Sequence, residues 1–165
     1  MSGPCELPAP LHVDVVPVES AADMFEAVKT RAKEQDIIIK AAAVADYTPI
    51  TVNTEKTKKK EGEASIALKR TTDILSWLGE HKEKGQFLCG FSMETENMLE
   101  NSKKKLEKKH ADMIVANNLK VAGAGFGTDT NVVTLITKEG AKELPIQTKD
   151  EVSCEILNEI MNKMA

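Results

Sequence analysis

The chain has 165 residues, of which 41% are hydrophobic, and a formal net charge of −4. This length and composition are enough for one domain with a substantial core, so we predict a single domain over residues 1–165. The negative charge argues against general binding to nucleic acid or to anionic membranes. No apolar stretch is long enough to span a membrane, and the first residues do not form a basic segment followed by an apolar one. We therefore expect a cytoplasmic protein.

The three cysteines also restrict the class of protein. Cys5, Cys89 and Cys154 are odd in number, widely separated and in no CxxC or Cys/His spacing. This pattern favours reduced thiols and argues against a structural metal site.

The first half of the chain predicts strands around one helix and one long loop. Residues 11–18 are predicted as a strand, and residues 20–35 as a helix that opens with a capping box of Ser20 and Asp23. Residues 37–42 form an apolar run typical of a central strand in a parallel sheet. The segment 44–62 predicts an exposed loop or hairpin, and residues 65–69 alternate as a strand does.

The second half alternates helices and strands. The predicted helices are residues 73–83, which contain Trp77, and residues 95–109, which Thr95 caps. The predicted strands are residues 86–91, 112–116 and 131–137. A turn at Glu139 and Gly140 joins the last of these to residues 143–146 as a hairpin.

The last helix has the clearest sequence pattern. Thr148 and Glu151 fit a capping box, and the predicted buried face consists of Val152, Ile156, Ile160 and Met164.

This alternation predicts the fold class. Parallel strands need long crossovers, so we expect an α/β fold with a doubly wound, mostly parallel, Rossmann-like sheet. Helices cover both faces, and the antiparallel hairpin lies at an edge. The sequence contains no GxGxxG and no GxxxxGK[ST] motif, and the glycine-rich residues 123–127 are predicted to be a mobile loop.

A candidate ligand site follows the strand at residues 37–42. Ligands of parallel sheets bind beyond the carboxyl ends of the strands. There the alanines leave room for a flat group, and Asp46 supplies an acceptor for a sugar hydroxyl or a base amino group. The alternative is a tightly packed strand end with a solvated aspartate.

Two lysine clusters and one aromatic residue allow two interpretations each. The run at residues 55–62 is either a solvated loop or a flap whose lysine closes over phosphates. Lys105 and Lys109 share a helix face, which is either solvated or placed near a triphosphate. Phe91 is predicted at a strand end, where its ring packs either against a base or in the core.

Motifs along nearly the whole chain resemble one family. They are Ser2-Gly3-Pro4 with Leu7-Pro8, Ala42-Ala43-Val44-Ala45-Asp46-Tyr47, Lys56-Thr57-Lys58-Lys59, Thr72-Asp73-Ile74-Leu75, Gly90-Phe91-Ser92-Met93-Glu94-Thr95, Lys105-Leu106 with Lys109 and Asp112, Ile114-Val115-Ala116-Asn117, and Phe126 with Asp129 and Asn131. In this order they resemble the phosphopantothenoylcysteine synthetase domain of the bacterial bifunctional coenzyme A biosynthesis flavoprotein.

The resemblance implies an activity and partners. The activity is a ligase that joins 4′-phosphopantothenate to cysteine, using CTP to make an acyl-cytidylate. Mg²⁺ accompanies the triphosphate and is held mostly by phosphate and water. The resemblance also implies a homodimer and a flavin-dependent decarboxylase domain that is fused to or associated with this one. The residues do not decide between CTP and ATP.

The resemblance also assigns roles to residues. The backbone at Lys40, Ala41 and Ala42 meets the cytosine, and Asp46 meets the nucleotide. Lys56 stabilises the charged transition state, with Lys58 and Lys59 in support. The segment Thr72, Asp73, Ile74 and Leu75 borders the nucleotide pocket together with Phe91, and Lys105 and Lys109 hold the phosphates.

One family element is not found in this sequence. Family members carry an earlier Asn-x-Ser-Ser-Gly segment that binds the pantothenate phosphate, and this chain begins after it, so we expect an N-terminally truncated domain. The alternative function is a non-catalytic nucleotide-binding or interaction domain. Retention of Asp46, Lys56, Lys105 and Lys109 together favours the ligase.

Overall fold

The structure, a computed structural model, describes residues 1–53, 55–56, 58, 62–94, 97–118 and 127–165. The predicted cap Thr95, the flap residue Lys59, the motif residue Phe126 and most of the glycine-rich loop lie outside the described residues. The chain divides into two compact units. The first comprises Met1–Lys29 and Ala43–Asp73, and the second comprises Thr30–Ala42 and Ile74–Ala165.

The first unit contains helix α1 (Ala21–Lys29) and an antiparallel pair, β2 (Tyr47–Pro49) and β3 (Leu68–Arg70). Reciprocal hydrogen bonds between Ser20 and Asp23 open α1, as the capping box predicted. β2 lies within residues 44–62, which were predicted as a loop or hairpin, and β3 overlaps only the end of the strand predicted at residues 65–69.

The predicted strand at residues 11–18 is wrong. Only an isolated bridge between Ser2 and Pro17 forms there. Leu11 and Val13 are exposed. An alternating pattern becomes a strand only when a neighbouring strand supplies hydrogen bonds, and here the bridge ends after one pair of bonds.

The second unit is built on a five-stranded sheet. Its strands are β1 (Ile37–Lys40), β4 (Phe87–Glu94), β5 (Met113–Asn118), β7 (Val133–Thr137) and β8 (Ala141–Glu143), in the order β1-β4-β5-β7-β8. β1, β4 and β5 are parallel neighbours, as predicted. β7 and β8 are antiparallel and form the predicted edge hairpin, although its second strand is Ala141–Glu143 rather than residues 143–146.

Helices cover both faces of this sheet. Alternate residues of the strands, among them Cys89, Met113 and Leu135, form a core with Val152, Ile156 and Ile160 of α4 (Lys149–Met164). On the opposite face, helices α2 (Ile74–Glu80) and α3 (Met98–Lys108) contact β4 and β5. The result is the predicted α/β sandwich of helix, mixed sheet and helix.

Several element positions differ from the prediction. β1 is an edge strand of the described sheet rather than a central one; three of its four residues are half-buried and Ile39 is exposed. β4 continues three residues beyond Phe91, so Phe91 lies within the strand rather than at its end. An apolar run favours a buried strand, but the burial that the strand reaches depends on which strands and helices pack beside it.

The helices are shorter than predicted at some ends. α1 stops at Lys29, and a separate 3₁₀ turn (Ala32–Glu34) follows. The N-cap of α3 is Asn97, which has a left-handed backbone with φ of 48°.

The C-terminal helix matches its prediction closely. Thr148 and Glu151 form the capping box, and Val152, Ile156 and Ile160 are buried. Met164 is 40% exposed, so its assignment to the buried face is wrong. Before α4, the short strands β6 (Thr130–Asn131) and β9 (Gln147–Thr148) pair with each other. In the described part of the chain, none of the helices has the length and apolar character that a membrane crossing requires.

Candidate nucleotide site

The carboxyl end of β1 is open. Ala41 and Ala42 follow the strand as exposed residues, which differs from the tightly packed strand end of the alternative, whereas Asp46 is exposed as that alternative expects. The Lys40 ammonium donates a hydrogen bond to the carbonyl oxygen of Ala42 at 2.9 Å, which folds the lysine over this short segment. The remaining backbone carbonyls and amides of the segment are the polar groups that a flat base could use.

Helix α2 packs closely on β4, the neighbour of β1 in the sheet. A Cβ atom on Gly90 would lie 2.6 Å from a methyl group of Leu75, so the glycine allows α2 to pack on β4 at this point. Leu75 and its neighbour Ile74 are 4% and 2% exposed. Their side chains belong to the core, and only their backbone is suited to bordering a nucleotide.

Phe91 belongs to β4 and is half-buried against the core that faces α4. Its carbonyl oxygen accepts a hydrogen bond from the ammonium of Lys105 at 3.2 Å. The strand and α3 therefore bring these two predicted residues together.

Lys109 follows α3 as its C-cap residue and is turned towards α2. Its ammonium donates to the Ser76 hydroxyl at 3.2 Å. α2 and the end of α3 are in tight contact there, because a Cβ on Gly79 would lie 1.8 Å from the carbonyl oxygen of Lys109. Both Lys105 and Lys109 are half-buried and hydrogen-bonded, which differs from the freely solvated alternative.

In the first unit, Asp46 and Asp73 line one cavity of about 220 Å³ together with Tyr47, Arg70 and Thr71. Thr71 fixes the backbone beside Asp46: its amide donates to the carbonyl oxygen of Asp46, and its hydroxyl donates to that of Ala45. The predicted residue Thr72 is exposed between Thr71 and Asp73.

The flap residues Lys56 and Lys58 are also in the first unit and are exposed. Their exposure agrees with both the solvated loop and the phosphate flap, so the assignment of Lys56 stays a prediction.

Some residues that lie beside the predicted ones were not predicted from the sequence. Arg70 and Thr71 join Asp46 and Asp73 in the cavity, and their position directly before Thr72 was a signal that could have been used. Ser92 and Ser102 form a buried hydroxyl pair between β4 and α3. No local sequence pattern predicts this pair.

A buried thiol lies in β4 but suits no catalytic role. Burial, with a smaller contribution from the charge of Asp112, raises the pKa of Cys89 to about 12. The thiol is therefore protonated at neutral pH, and the thiolate is the nucleophilic form. Among the residues that the structure describes, no three His, Cys, Asp or Glu side chains cluster as metal ligands do.

Comparisons with known proteins identify the family. The profile of the DNA/pantothenate metabolism flavoprotein C-terminal domain matches residues 1–164. The coenzyme A biosynthesis bifunctional protein CoaBC of Bacillus subtilis (strain 168) is 52% identical over 162 residues, which are 97% of this chain and 40% of that protein. A cysteine/cysteine sulfinic acid decarboxylase from an unknown prokaryotic organism is 44% identical over 96% of this chain and 45% of its own length.

A solved structure agrees with these relatives. The crystal structure of the C-terminal domain of CoaBC superposes with a TM-score of 0.80 at 49% identity, over 98% of this chain and 73% of that one. The chain spans less than half the length of the two curated relatives. It belongs to the DNA/pantothenate metabolism flavoprotein C-terminal domain family.

Proposed function

We propose that this chain is the CTP-dependent ligase domain that joins 4′-phosphopantothenate to cysteine in cytoplasmic coenzyme A biosynthesis. The observation that carries the proposal is the 52% identity with the C-terminal part of a coenzyme A biosynthesis bifunctional protein. In the proposed reaction, the carboxylate of phosphopantothenate attacks the α-phosphorus of CTP and releases pyrophosphate. The cysteine amine then attacks the acyl carbon, and CMP leaves.

In the second unit, the proposed contacts are with the base and the phosphates. The exposed backbone at Ala41 and Ala42 offers donors and acceptors to cytosine. Lys105 and Lys109 hold the phosphates as point charges. Their present contacts, with Phe91 and Ser76, use neutral oxygen acceptors, which a more strongly accepting phosphate oxygen can replace or join.

In the first unit, the proposed roles belong to Asp46 and Lys56. The Asp46 carboxylate accepts hydrogen bonds from the nucleotide, and Thr71 holds the backbone on which it is carried. Lys56 is exposed on its loop, and its flexible stem suits a charge that moves towards the developing negative charge of the transition state.

Mg²⁺ is part of the proposal as the companion of the triphosphate. It prefers oxygen ligands and keeps several waters, so the carboxylates of Asp46 and Asp73, which line one cavity, are residues of the right chemistry to meet it. When bound, the ion neutralises phosphate charge, while the lysines orient the chain of phosphates.

The proposal includes two larger partners. A homodimer is expected from the family resemblance. Fusion to or association with a flavin-dependent decarboxylase domain is supported by the relatives, one of which is named bifunctional and the other a decarboxylase.

Calorimetric titration with CTP and Mg²⁺ tests the nucleotide half of this proposal. We expect the chain to bind CTP, and the double variant Lys105→Ala/Lys109→Ala to bind about tenfold or more weakly, because each lysine supplies a charge-assisted contact. Added salt should weaken CTP binding by the wild-type chain more than CTP binding by the variant. Lys103→Ala/Lys108→Ala is the matched control, because it removes two exposed lysines of the same helix.

Release of pyrophosphate tests the ligase half. Residues 1–165 alone contain no Asn-x-Ser-Ser-Gly sequence, so this stretch on its own should release little pyrophosphate. A chain extended with that segment should release pyrophosphate only with phosphopantothenate present, and should consume cysteine. CTP binding without any ligation by the extended chain would favour the non-catalytic alternative. Equal affinities of the Lys105/Lys109 double variant and the wild type would remove both lysines from the site.

A further inference from the structure

A pair of buried serine hydroxyls joins β4 to α3. Ser92 on β4 is 3% exposed and Ser102 on α3 is 0% exposed, and their Oγ atoms lie 3.1 Å apart. Burying a hydroxyl costs free energy unless it is hydrogen-bonded, and here each serine supplies the other's partner. The pair therefore favours one register of the helix on the strand.

Each serine lies within one helical turn or one strand position of a residue of the candidate nucleotide site. Ser92 directly follows Phe91, and Ser102 precedes Lys105 by three residues, which places the two on the same side of α3. The Lys105 ammonium donates to the Phe91 carbonyl oxygen at 3.2 Å. The contact between these two site residues thus lies beside the serine pair on both the strand and the helix.

We propose that Ser92 and Ser102 are positioning residues for the nucleotide phosphates. Their hydrogen bond fixes α3 against β4, so that Lys105 is held at the Phe91 carbonyl before the nucleotide arrives. A lysine side chain has many rotamers, and one that is ordered in advance loses less conformational freedom on binding phosphate. The inference rests on the proposed function for the role of Lys105, and it adds two residues that act through that lysine.

The first test is a mutational cycle read by CTP titration. Ser92→Ala/Ser102→Ala removes both hydroxyls, so that neither is left buried without its partner. We expect the dissociation constant for CTP to rise about three- to tenfold, and to rise about tenfold or more in Lys105→Ala. The triple variant should bind no more weakly than Lys105→Ala, because the serines act only through that lysine.

A control separates positioning from a general loss of stability. Ile156→Val trims the core on the opposite face of the sheet, where α4 packs. It should lower the urea midpoint but leave the CTP dissociation constant unchanged. Full additivity of the serine and Lys105 effects in the triple variant would overturn the proposal, and so would an unchanged affinity in the serine variant.

A second measurement needs no nucleotide. A lysine ammonium held at a carbonyl exchanges its hydrogens slowly, and ¹⁵N-edited NMR of the Lys105 Nζ reports this. We expect the Lys105 signal to weaken in the serine double variant and to persist in Ile156→Val. If the wild-type chain failed to bind CTP, the proposed function would fail, while this signal would still decide the positioning. An identical Lys105 signal in the wild type and the serine variant would refute it.

Discussion

The lysines of the candidate site differ in whether the protein already holds their ammonium groups in place. Lys105 and Lys109 have defined acceptors, the Phe91 carbonyl and the Ser76 hydroxyl. Lys56 is exposed on a loop. Prearranged lysines suit ground-state binding of the phosphates, whereas a lysine on a free stem suits a contact made only when charge develops.

This difference predicts how Lys56→Ala behaves. In the chain extended with the Asn-x-Ser-Ser-Gly segment, turnover should fall about a hundredfold or more, the usual cost of losing one well-placed charge partner. The dissociation constant for CTP should be nearly unchanged, because the contact belongs to the transition state. Single-turnover kinetics and calorimetry measure the two quantities.

Lys58→Ala is the control for Lys56→Ala, since it removes a neighbouring exposed lysine of the same loop. A smaller loss of turnover is expected there. Unaltered turnover in Lys56→Ala would remove that lysine from the catalytic assignment.

Glu139, in the turn between β7 and β8, predicts a pH dependence of stability. A hydrogen bond from the Thr137 hydroxyl, with another from Lys163 of α4, lowers the pKa of Glu139 from 4.5 to about 2. A lowered pKa means that the folded state favours the ionised carboxylate. Its contribution is therefore present above pH 4.5 and is lost as the pH falls towards 2. Because the side chain is 68% exposed, solvent screens these contacts and the effect should be small.

Urea unfolding between pH 5 and pH 2 measures this contribution. Glu139→Gln should flatten that part of the stability curve relative to the wild type. Thr137→Val and Lys163→Met should each flatten it in part, because the Thr137 hydroxyl and the Lys163 ammonium both lower the pKa of Glu139. An unchanged curve in Glu139→Gln would show that this carboxylate does not contribute to the pH dependence of stability.

At the scale of elements, α2 and the end of α3 approach each other very closely at Gly79. Among the described glycines, a Cβ added at this one would have the shortest distance to a neighbouring atom. A Cβ on Gly79 would lie 1.8 Å from the backbone carbonyl oxygen of Lys109. Alanine is about 1 kcal/mol better than glycine inside a helix, but a clash with backbone forces the two helices apart. Overpacking of this kind costs about 1–3 kcal/mol, so we expect Gly79→Ala to be destabilising.

Urea unfolding of Gly79→Ala, beside Gly140→Ala, tests this contact. No atom lies within 4 Å of a Cβ on Gly140, so that control should change the free energy of unfolding by less than about 0.5 kcal/mol. Equal stabilities of the two variants would show that α2 and α3 separate without cost.

At the scale of the whole molecule, local patterns and the parallel order of three strands were predicted from the sequence, whereas the strand predicted at residues 11–18 forms only one bridge. The capping box of α4 and its buried positions Val152, Ile156 and Ile160 depend on residues within a few turns, and all are present. The parallel neighbours β1, β4 and β5 follow from the lengths of their crossovers. The strand at residues 11–18 failed because a strand also requires a neighbour, which its own residues do not specify.

The candidate site shows the same division. Motif order placed Lys105 and Phe91 in the site, and the structure brings that pair together. The acceptors of the lysines, and the serine pair behind Lys105, depend on the register of helix on strand. That register is set by packing across the sheet, so the sequence of a single segment does not predict it.

The pairing of β1 with β4 has a consequence for the order of folding. Its partners lie 50 residues apart in the chain, as in Ile37 and Phe87, whereas Ile136 and Ala141 of the β7–β8 hairpin are only five apart. Closing a longer loop loses more chain entropy before any contact forms. The hairpin can form early, and β1 joins the sheet late. During synthesis, about fifty further residues must therefore be made before the apolar segment 37–39 can pair with β4. In that interval its unpaired edge is exposed to mispairing with other strands.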